Sequence, residues 1–168
     1  MKKVLIIDTS LLCCWLKVPG KETAGSDDDK WNYDRVNALI EEEKRGGAFL
    51  VLPLASLIET GNHIAQSSGN KYRCAKNFAK IIGQSANASD PWIAFSDQID
   101  LWSPENLQYL ADSWPDLAVQ SISIGDATIK NVADFYAKAG FHVVILTGDA
   151  GLKAYEPVKP ALVPRRRK

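Results

Sequence analysis

Four branched apolar residues stand in a row near the start of the chain, in the run Val4–Ile7, and an aspartate, Asp8, follows them directly. A short continuous apolar run is typical of a strand buried on both faces, as in a parallel sheet covered by helices. Burial alone gives no reason for such a strand to end on a carboxylate. Because sites in open α/β sheets gather at the carboxyl ends of strands, Asp8 is a candidate site residue.

Two more apolar runs, at 48–52 and 142–146, predict further buried strands. A short edge strand is expected near 161–163, and a weaker strand signal lies at 99–102. Between the runs, apolar spacing predicts six helices. They extend from Thr9 or Ser10 to near Pro19, from Asp34 to near Gly46, from Pro53 to near Ile64, from Lys71 to near Ile82, from Ser103 to near Trp114-Pro115, and from Ser123 or Gly125 to near Gly140. This alternation predicts an α/β fold with a mainly parallel sheet.

No repeat or linker divides the chain, so its 168 residues predict one domain over 1–163 and a basic tail at 164–168. Twenty basic and twenty acidic residues cancel, but they are unevenly placed. From 60 to 89 there are four basic residues and no acid, whereas from 90 to 126 there are seven acids and no Lys or Arg. Such segregation favours either steering of a polyanion or an ordinary solvated helix face.

The three cysteines, Cys13, Cys14 and Cys74, match neither a zinc-ligand spacing nor an even disulfide framework. They are expected to be small core residues in a reducing compartment. The apolar start is interrupted by Asp8 and lacks a small-residue cleavage site, and no window has the length of a membrane span. A cytoplasmic protein without a membrane segment is therefore expected.

Four acids occupy special positions in the predicted fold: Asp8, Glu59, Asp126 and Asp149. Asp8 and Asp149 follow predicted parallel strands, Glu59 lies on the helix after the second strand, and Asp126 lies in the first turn of a helix. Each has an ordinary alternative explanation, because an Asp often caps a helix or serves a turn. Together they are able to meet at one edge of the sheet.

Clustered carboxylates repel one another and raise each other's pKa values unless a cation lies among them. Oxygen ligands of this kind favour Mg²⁺ or Mn²⁺ over zinc. Such ions polarise a phosphodiester and lower the pKa of a bound water. The chain has no Gly-rich phosphate loop, nucleophile elbow or zinc-type Cys/His cluster, so metal-dependent phosphodiester hydrolysis is the predicted chemistry.

The segments around these acids resemble the PIN-domain family in order and approximate spacing. They are Val-Leu-Ile-Ile-Asp8-Thr-Ser, Leu-Ile-Glu59-Thr-Gly-Asn, Ile-Gly-Asp126-Ala-Thr-Ile and Val-Ile-Leu-Thr147-Gly-Asp149. The resemblance extends from Val4 to about Val163. It implies a three-layer, Rossmann-like fold with a sheet of four to five strands in the order 3-2-1-4-5. It also implies a metal-dependent endoribonuclease, often the toxin of a toxin–antitoxin pair.

Carried over by position, the resemblance makes Asp8, Glu59, Asp126 and Asp149 the catalytic acids. Asp8, Asp126 and Asp149 would hold Mg²⁺ or Mn²⁺, and the hydroxyls of Ser10 and Thr147 would orient the acids. Three features depart from the family pattern: a polar insert at 20–30, a Trp-rich stretch at 92–114, and Gly148 where the family often has a larger or charged residue.

Other side chains are candidates for supporting roles. Asn62, three residues after Glu59, is expected to support it, whereas His63, four residues after, is either a ligand, a proton shuttle or an ordinary surface histidine. Lys71, Arg73, Lys76 and Lys80 are expected to contact the RNA backbone. Candidate protein partners are an inhibitor or antitoxin and a second copy of the chain.

Two alternatives remain open at the sequence level. The first is a binding module for RNA or protein that keeps the fold without catalysis. The second is a receiver-like phosphoacceptor domain, which would share an acid after the first strand, Thr147 and the pair Lys159-Pro160. That class needs an acceptor Asp at the end of a middle strand, where this chain has Leu52-Pro53 at the end of its second strand.

Overall fold

A computed structural model describes residues 1–159, so the edge strand expected near 161–163 and the tail 164–168 lie outside the described residues. The strands are β1 (Lys3–Ile7), β2 (Phe49–Val51) and β3 (His142–Leu146). The helices are α1 (Thr9–Leu16), α2 (Tyr33–Arg45), α3 (Leu54–Gln66), α4 (Lys71–Ala86), α5 (Pro104–Val119), α6 (Ile124–Lys138) and α7 (Ala150–Lys153). The predicted α/β class is confirmed. Within residues 1–159, no helix has both the length and the apolar character that a membrane crossing requires.

Strand β1 lies at the centre of the sheet and pairs in parallel with β2 on one side and β3 on the other. Its side chains alternate between two cores. Leu5 and Ile7 pack in the core formed with α1, α2, α3 and α4, whereas Val4 and Ile6 pack in the core formed with α6. All four are 0% exposed, so the prediction of a strand buried on both faces is confirmed.

The parallel sheet of the described residues has three strands in the order β2-β1-β3, and the four to five strands expected are not seen in this part of the chain. The outer edge of β2 is met by a single parallel bridge instead of a full strand. Leu50 N donates to Pro91 O at 2.9 Å, and Ile93 N donates to Leu50 O at 2.9 Å. These bonds satisfy backbone groups that an open edge would leave unpaired.

The weak strand expected at 99–102 is wrong, because Phe95–Trp102 forms 3₁₀ turns. Gln98 in this segment is buried, and its Nε2 donates to Leu52 O at 2.9 Å. That bond holds the segment over the end of β2, where it caps the strand and does not extend the sheet. A side chain that replaces a backbone partner in this way leaves no period-2 signal in the sequence.

Several helix ends differ from the predicted ones. Asp8 caps α1 by accepting from Ser10 N, and Asn32, not Asp34, caps α2 by accepting from Arg35 N. Helix α4 continues to Ala86, and α5 continues through Pro115 to Val119. An interior proline removes one backbone donor and also crowds the preceding turn, so it usually ends a helix. Helix α5 nevertheless continues past Pro115, and the indole N–H of Trp114 bonds to Ile122 O at 3.2 Å beyond its end.

The polar insert at 20–30 folds into a compact loop. Ala24 and Trp31 close it by an antiparallel backbone bridge, with N···O distances of 3.1 and 2.8 Å. The Arg35 guanidinium lies 3.7 Å from the centre of the Trp31 ring and pairs with Asp29 at 2.7 Å. These contacts give the loop one defined conformation.

This loop explains the departure at Gly148. A Cβ built on Gly148 would lie 2.8 Å from Gly25 N and 2.9 Å from the Ala24 Cβ. Both distances are too short for ordinary packing, so a larger residue would displace the loop. The insert and Gly148 are therefore one structural feature, although about 120 residues separate them in the chain.

Candidate functional site

The four predicted acids line one cleft at the carboxyl edge of the sheet, with a volume of about 370 Å³. Asp8 follows β1 and Asp149 follows β3, which is the edge where parallel strands deliver their last residues. Glu59 reaches the cleft from α3, and Asp126 reaches it from the first turn of α6. The chain therefore brings together four carboxylates from four separate segments.

Asp8 is the most constrained of the four, because its side chain is buried and one of its oxygens is held by three donors. Its Oδ2 accepts from the Ser10 hydroxyl at 2.7 Å, the Thr147 hydroxyl at 2.8 Å and Ser10 N at 3.4 Å. Its Oδ1 takes no hydrogen bond from residues 1–159. Hydrogen bonds to a carboxylate stabilise its charged form and fix its orientation.

The same two hydroxyls also bind the end of β3. The Ser10 Oγ accepts from Gly148 N at 3.1 Å, and the Thr147 Oγ1 accepts from Asp149 N at 3.0 Å. Ser10 and Thr147 thus connect Asp8 to the backbone that carries Asp149. Both hydroxyls therefore contact Asp8 directly, and their role in orienting it stays a prediction.

Glu59 is held by a residue that the sequence did not single out for this position. The Thr9 hydroxyl donates to Glu59 Oε2 at 2.9 Å, and Thr9 is buried. The other oxygen, Oε1, lies where a side chain at Gly125 would have to be, since a Cβ built there would collide with it. A glycine within the first turn of a helix is the only sequence signal for this contact, because it lowers helix stability without serving a turn.

Asp126 carries the clearest electrostatic signature of the cleft. Burial raises the pKa of its carboxyl, the Ser123 side chain partly offsets that rise, and the charges of Asp8, Asp149 and Glu59 raise it further. Its backbone N–H bonds to the Ser123 Oγ at 3.0 Å, which places it in the first turn of α6. Burial is the largest cause of the raised pKa, and the smaller rise from the three other acids reflects the concentration of negative charge in the cleft.

Asp149 serves two purposes at once. Its Oδ1 caps the short helix α7 by accepting from Gly151 N at 2.6 Å and Leu152 N at 3.2 Å. Its Oδ2 takes no hydrogen bond from residues 1–159, and the side chain is exposed at the cleft. The capping explanation of this residue is therefore right, and it leaves one oxygen free for a ligand.

The donor set fits a hard divalent cation. All four groups are carboxylates, and none of them forms an ion pair with a Lys or Arg of residues 1–159. In the same residues, no group of three His, Cys, Asp or Glu side chains is close enough together to hold an ion as it stands. A cation would therefore have to draw the acids closer than their mutual repulsion leaves them.

The cleft is also lined by three side chains that carry an ionisable group besides the four acids: Lys21, His63 and Cys13. Lys21 belongs to the polar insert, is exposed, and forms no ion pair with a carboxylate of the described residues. Burial raises the pKa of the Cys13 thiol to about 11, so it stays protonated near neutral pH and is not a nucleophile. Neither Lys21 nor Cys13 was predicted at the site.

The structure places His63 at the cleft but does not bring Asn62 there, although Asn62 was expected to support Glu59. His63 lies one helical turn after Glu59 and faces the cleft. Asn62 is exposed and does not line the cleft, and its side chain makes no hydrogen bond in the described residues. Because an α-helix turns by about 100° per residue, the residue at i+4 lies about 40° to one side of residue i and the residue at i+3 about 60° to the other side. Only the first of these directions faces the cleft.

The four basic residues of α4 are exposed and lie outside the acidic cleft. Two of them have local partners: the Lys71 ammonium donates to Ala65 O at 2.9 Å, and the Lys76 ammonium lies 5.9 Å from the centre of the Tyr72 ring. Arg73 and Lys80 instead line a separate groove. The predicted basic patch therefore consists of two pairs: Lys71 and Lys76 lie outside the groove, and Arg73 and Lys80 line it.

No protein-family model, curated protein or solved structure matches this chain. The function is therefore inferred from the residues and their arrangement alone.

Proposed function

We propose that this chain is a Mg²⁺- or Mn²⁺-dependent endoribonuclease of the PIN-domain type. The observation that carries the proposal is the cleft at the carboxyl edge of the sheet, which Asp8, Glu59, Asp126 and Asp149 all line without forming an ion pair to a Lys or Arg of residues 1–159. Charge of this density in one cleft costs folding free energy, and clusters of this kind are concentrated at functional sites.

Asp8, Asp126 and Asp149 are the residues that would hold the ion, and Glu59 would complete the acidic set. When bound, a divalent ion supplies Lewis acidity toward the phosphodiester and its attacking water. The protein's contribution is orientation. Ser10 and Thr147 fix one oxygen of Asp8, which turns its other oxygen away from the protein donors.

Glu59 is oriented separately from the other acids. Its Oε2 is fixed by the Thr9 hydroxyl at 2.9 Å, and its Oε1 lies over Gly125. A carboxylate held in this way is suited to accept a proton from an attacking water that lies within hydrogen-bond distance. Lys21 at the same cleft supplies a positive charge for the phosphate, which four carboxylates alone would repel.

The proposal is tested by cleavage of a substrate panel made of single-stranded RNA, structured RNA and DNA. We expect RNA cleavage that stops with EDTA, returns with Mn²⁺, and is lost in Asp8→Asn. Asp116→Asn is the matched control, because Asp116 is an exposed acid on α5 away from the cleft. Equal activity of Asp8→Asn and Asp116→Asn would reject the assignment of the site.

The alternatives predict different outcomes of the same panel. A binding module that keeps the fold would retain RNA without cleaving it when Mn²⁺ is present. A receiver-like domain would be stably phosphorylated by acetyl phosphate on an acid of the cleft. An inhibitor or antitoxin and a homodimer remain predictions, which pull-down from the native host and light scattering would test.

A further inference from the structure

A second groove, of about 570 Å³, lies between the end of α1, the start of α2 and the length of α4. Three cationic side chains line it: Lys17, Arg73 and Lys80. No Asp or Glu is among its lining residues. Its charge is therefore opposite to that of the acidic cleft.

The three cations are not neutralised by the protein. None of them forms an ion pair with a carboxylate of residues 1–159, whereas Lys3 pairs with Glu43 at 2.7 Å elsewhere on the surface. The Lys17 ammonium lies 3.9 Å from the centre of the Tyr33 ring, which holds the charge at the groove without cancelling it. A cluster of unpaired cations in a concave surface attracts a polyanion.

The backbone at Lys17 is a second, independent observation. Lys17 ends α1 in the left-handed region, with φ 53° and ψ 46°. Its N–H donates to Cys14 O at 3.1 Å, and Val18 N donates to Cys13 O at 3.0 Å, so the end of the helix has the form in which glycine is usual. A lysine at this position strains the backbone where a glycine would not, which indicates a role for its side chain at the groove.

The groove is built on a fixed floor. Cys74 and Ile81 of α4 are buried beneath it, and the Cys74 Sγ lies 3.8 Å from both Leu16 O and Lys17 O. These contacts hold α4 against the end of α1. The side-chain amides of Asn77 and Gln84 also line the groove and make no hydrogen bond within residues 1–159, so they are free to bind a ligand.

The groove and the acidic cleft are lined by consecutive parts of one segment. Residues 15–17 and Pro19 line the groove, and Lys21, Thr23 and Ala24 line the cleft. A chain that lies along this segment would pass from the cations to the acids. A negatively charged polymer would thus be held on one side and present a neighbouring phosphate to the acids on the other.

We propose that this groove binds the backbone of single-stranded RNA next to the cleavage site. Its cations would contact phosphates, and the free amides of Asn77 and Gln84 would bind the edges of unpaired bases. This proposal rests on the proposed function in one respect only, which is that the bound polymer is RNA. Binding itself needs no catalysis and is measured separately.

Helix α4 offers a matched test, because it carries two basic residues in the groove and two outside it. In the Asp8→Asn background, which is expected not to cleave, the variants Arg73→Gln/Lys80→Gln and Lys71→Gln/Lys76→Gln remove equal charge from the same helix. Affinity for a fluorescent single-stranded RNA is measured by anisotropy over a range of salt. We expect the first pair to weaken binding about tenfold and to reduce the salt slope by about 1.4, which corresponds to two phosphate contacts. The second pair should change affinity less than about twofold.

Lys17→Gly separates a binding role from a structural one. Because glycine suits the left-handed conformation, this variant should keep or raise the melting temperature while it weakens RNA binding. A lowered melting temperature with unchanged affinity would overturn the role given to Lys17.

Three results would overturn the groove as a whole. They are equal loss of affinity in both double variants of α4, equal affinity for duplex RNA of the same length, and equal affinity for polyglutamate of similar charge. Wild-type protein that cleaves nothing, with binding still lost only in the groove variants, would reject the nuclease and keep the groove. If the wild type cleaves RNA and the groove variants bind and cleave it normally, the groove is rejected and the nuclease is kept.

Discussion

Gly125→Ala should separate the activity of this protein from its stability. Gly125 lies in the first turn of α6 beside Glu59 of α3. A Cβ at this position would collide with Glu59 Oε1 and lie 3.4 Å from its Cδ. Because the backbone of Gly125 is not in the left-handed region, the alanine is conformationally acceptable, and the change acts through Glu59.

The expected effect on stability is small because two contributions oppose each other. Alanine in place of glycine within a helix contributes about 0.5–1 kcal/mol. Displacing Glu59 breaks its 2.9 Å bond from the Thr9 hydroxyl, and hydrogen bonds to charged groups contribute about 1.5–3 kcal/mol. The net destabilisation is therefore about 0.5–2.5 kcal/mol, which is a few degrees in Tm for a chain of this length.

The expected effect on cleavage is much larger. Relieving the collision requires a shift of the carboxylate of roughly 1 Å, and such a misplacement costs up to about 10²-fold in rate. The rate of Mn²⁺-dependent RNA cleavage and the Tm should be measured on the same preparations.

Gly83→Ala is the control for this experiment. Gly83 lies inside α4, and a Cβ there would meet nothing within 4 Å. This variant should gain about 0.5–1 kcal/mol of stability and keep full activity. Full activity of Gly125→Ala would refute the position and role given to Glu59.

Three further predictions concern the cleft and the insert beside it. Gly148→Ala should destabilise by about 1–3 kcal/mol through contact with Ala24, and faster proteolysis within 20–30 should accompany the change; unchanged proteolysis would contradict the docking of the loop. Because the pKa of Asp126 is raised, its folded state binds a proton more tightly than the unfolded state, and stability falls as pH rises above the ordinary aspartate value. The Tm advantage of Asp126→Asn without metal should therefore grow from about pH 3 to pH 7, and a constant difference would contradict the shift. Thr147→Val should lower stability by about 1–3 kcal/mol and slow cleavage, because Asp8 loses a 2.8 Å donor; a denaturant titration that shows no loss would argue against this bond.

The parts of the fold that follow from local patterns could be predicted. The run Val4–Ile7 is apolar at every position, and it is the central strand of the sheet. Topology places Asp8 and Asp149, which follow strands, at the carboxyl edge of the sheet, and the cleft at that edge is lined by these two acids together with Glu59 and Asp126. Parallel strands bring their ends together whatever the loops between them do.

The parts that depend on contacts between distant segments could not be predicted. The Thr9–Glu59 bond joins residues 50 positions apart, and the packing of the insert on Gly148 joins residues further apart still. Gln98 is a polar residue outside the sheet whose side chain bonds to the end of a strand, and no periodic pattern in the sequence predicts that contact. Which basic residues of α4 line the groove depends on the direction of each side chain, and a count of charges along the sequence gives no information about that direction.

The central claim is that Asp8, Asp126 and Asp149 hold a divalent metal for RNA hydrolysis and that Glu59 completes the acidic set. A Mn²⁺ titration of RNA cleavage by wild-type protein and Asp8→Asn, after removal of metal with EDTA, tests it most directly. We expect saturable restoration of cleavage in the wild type and none in Asp8→Asn, at equal fold as judged by circular dichroism. Cleavage that is independent of Mn²⁺, or restored equally in both proteins, would contradict the claim.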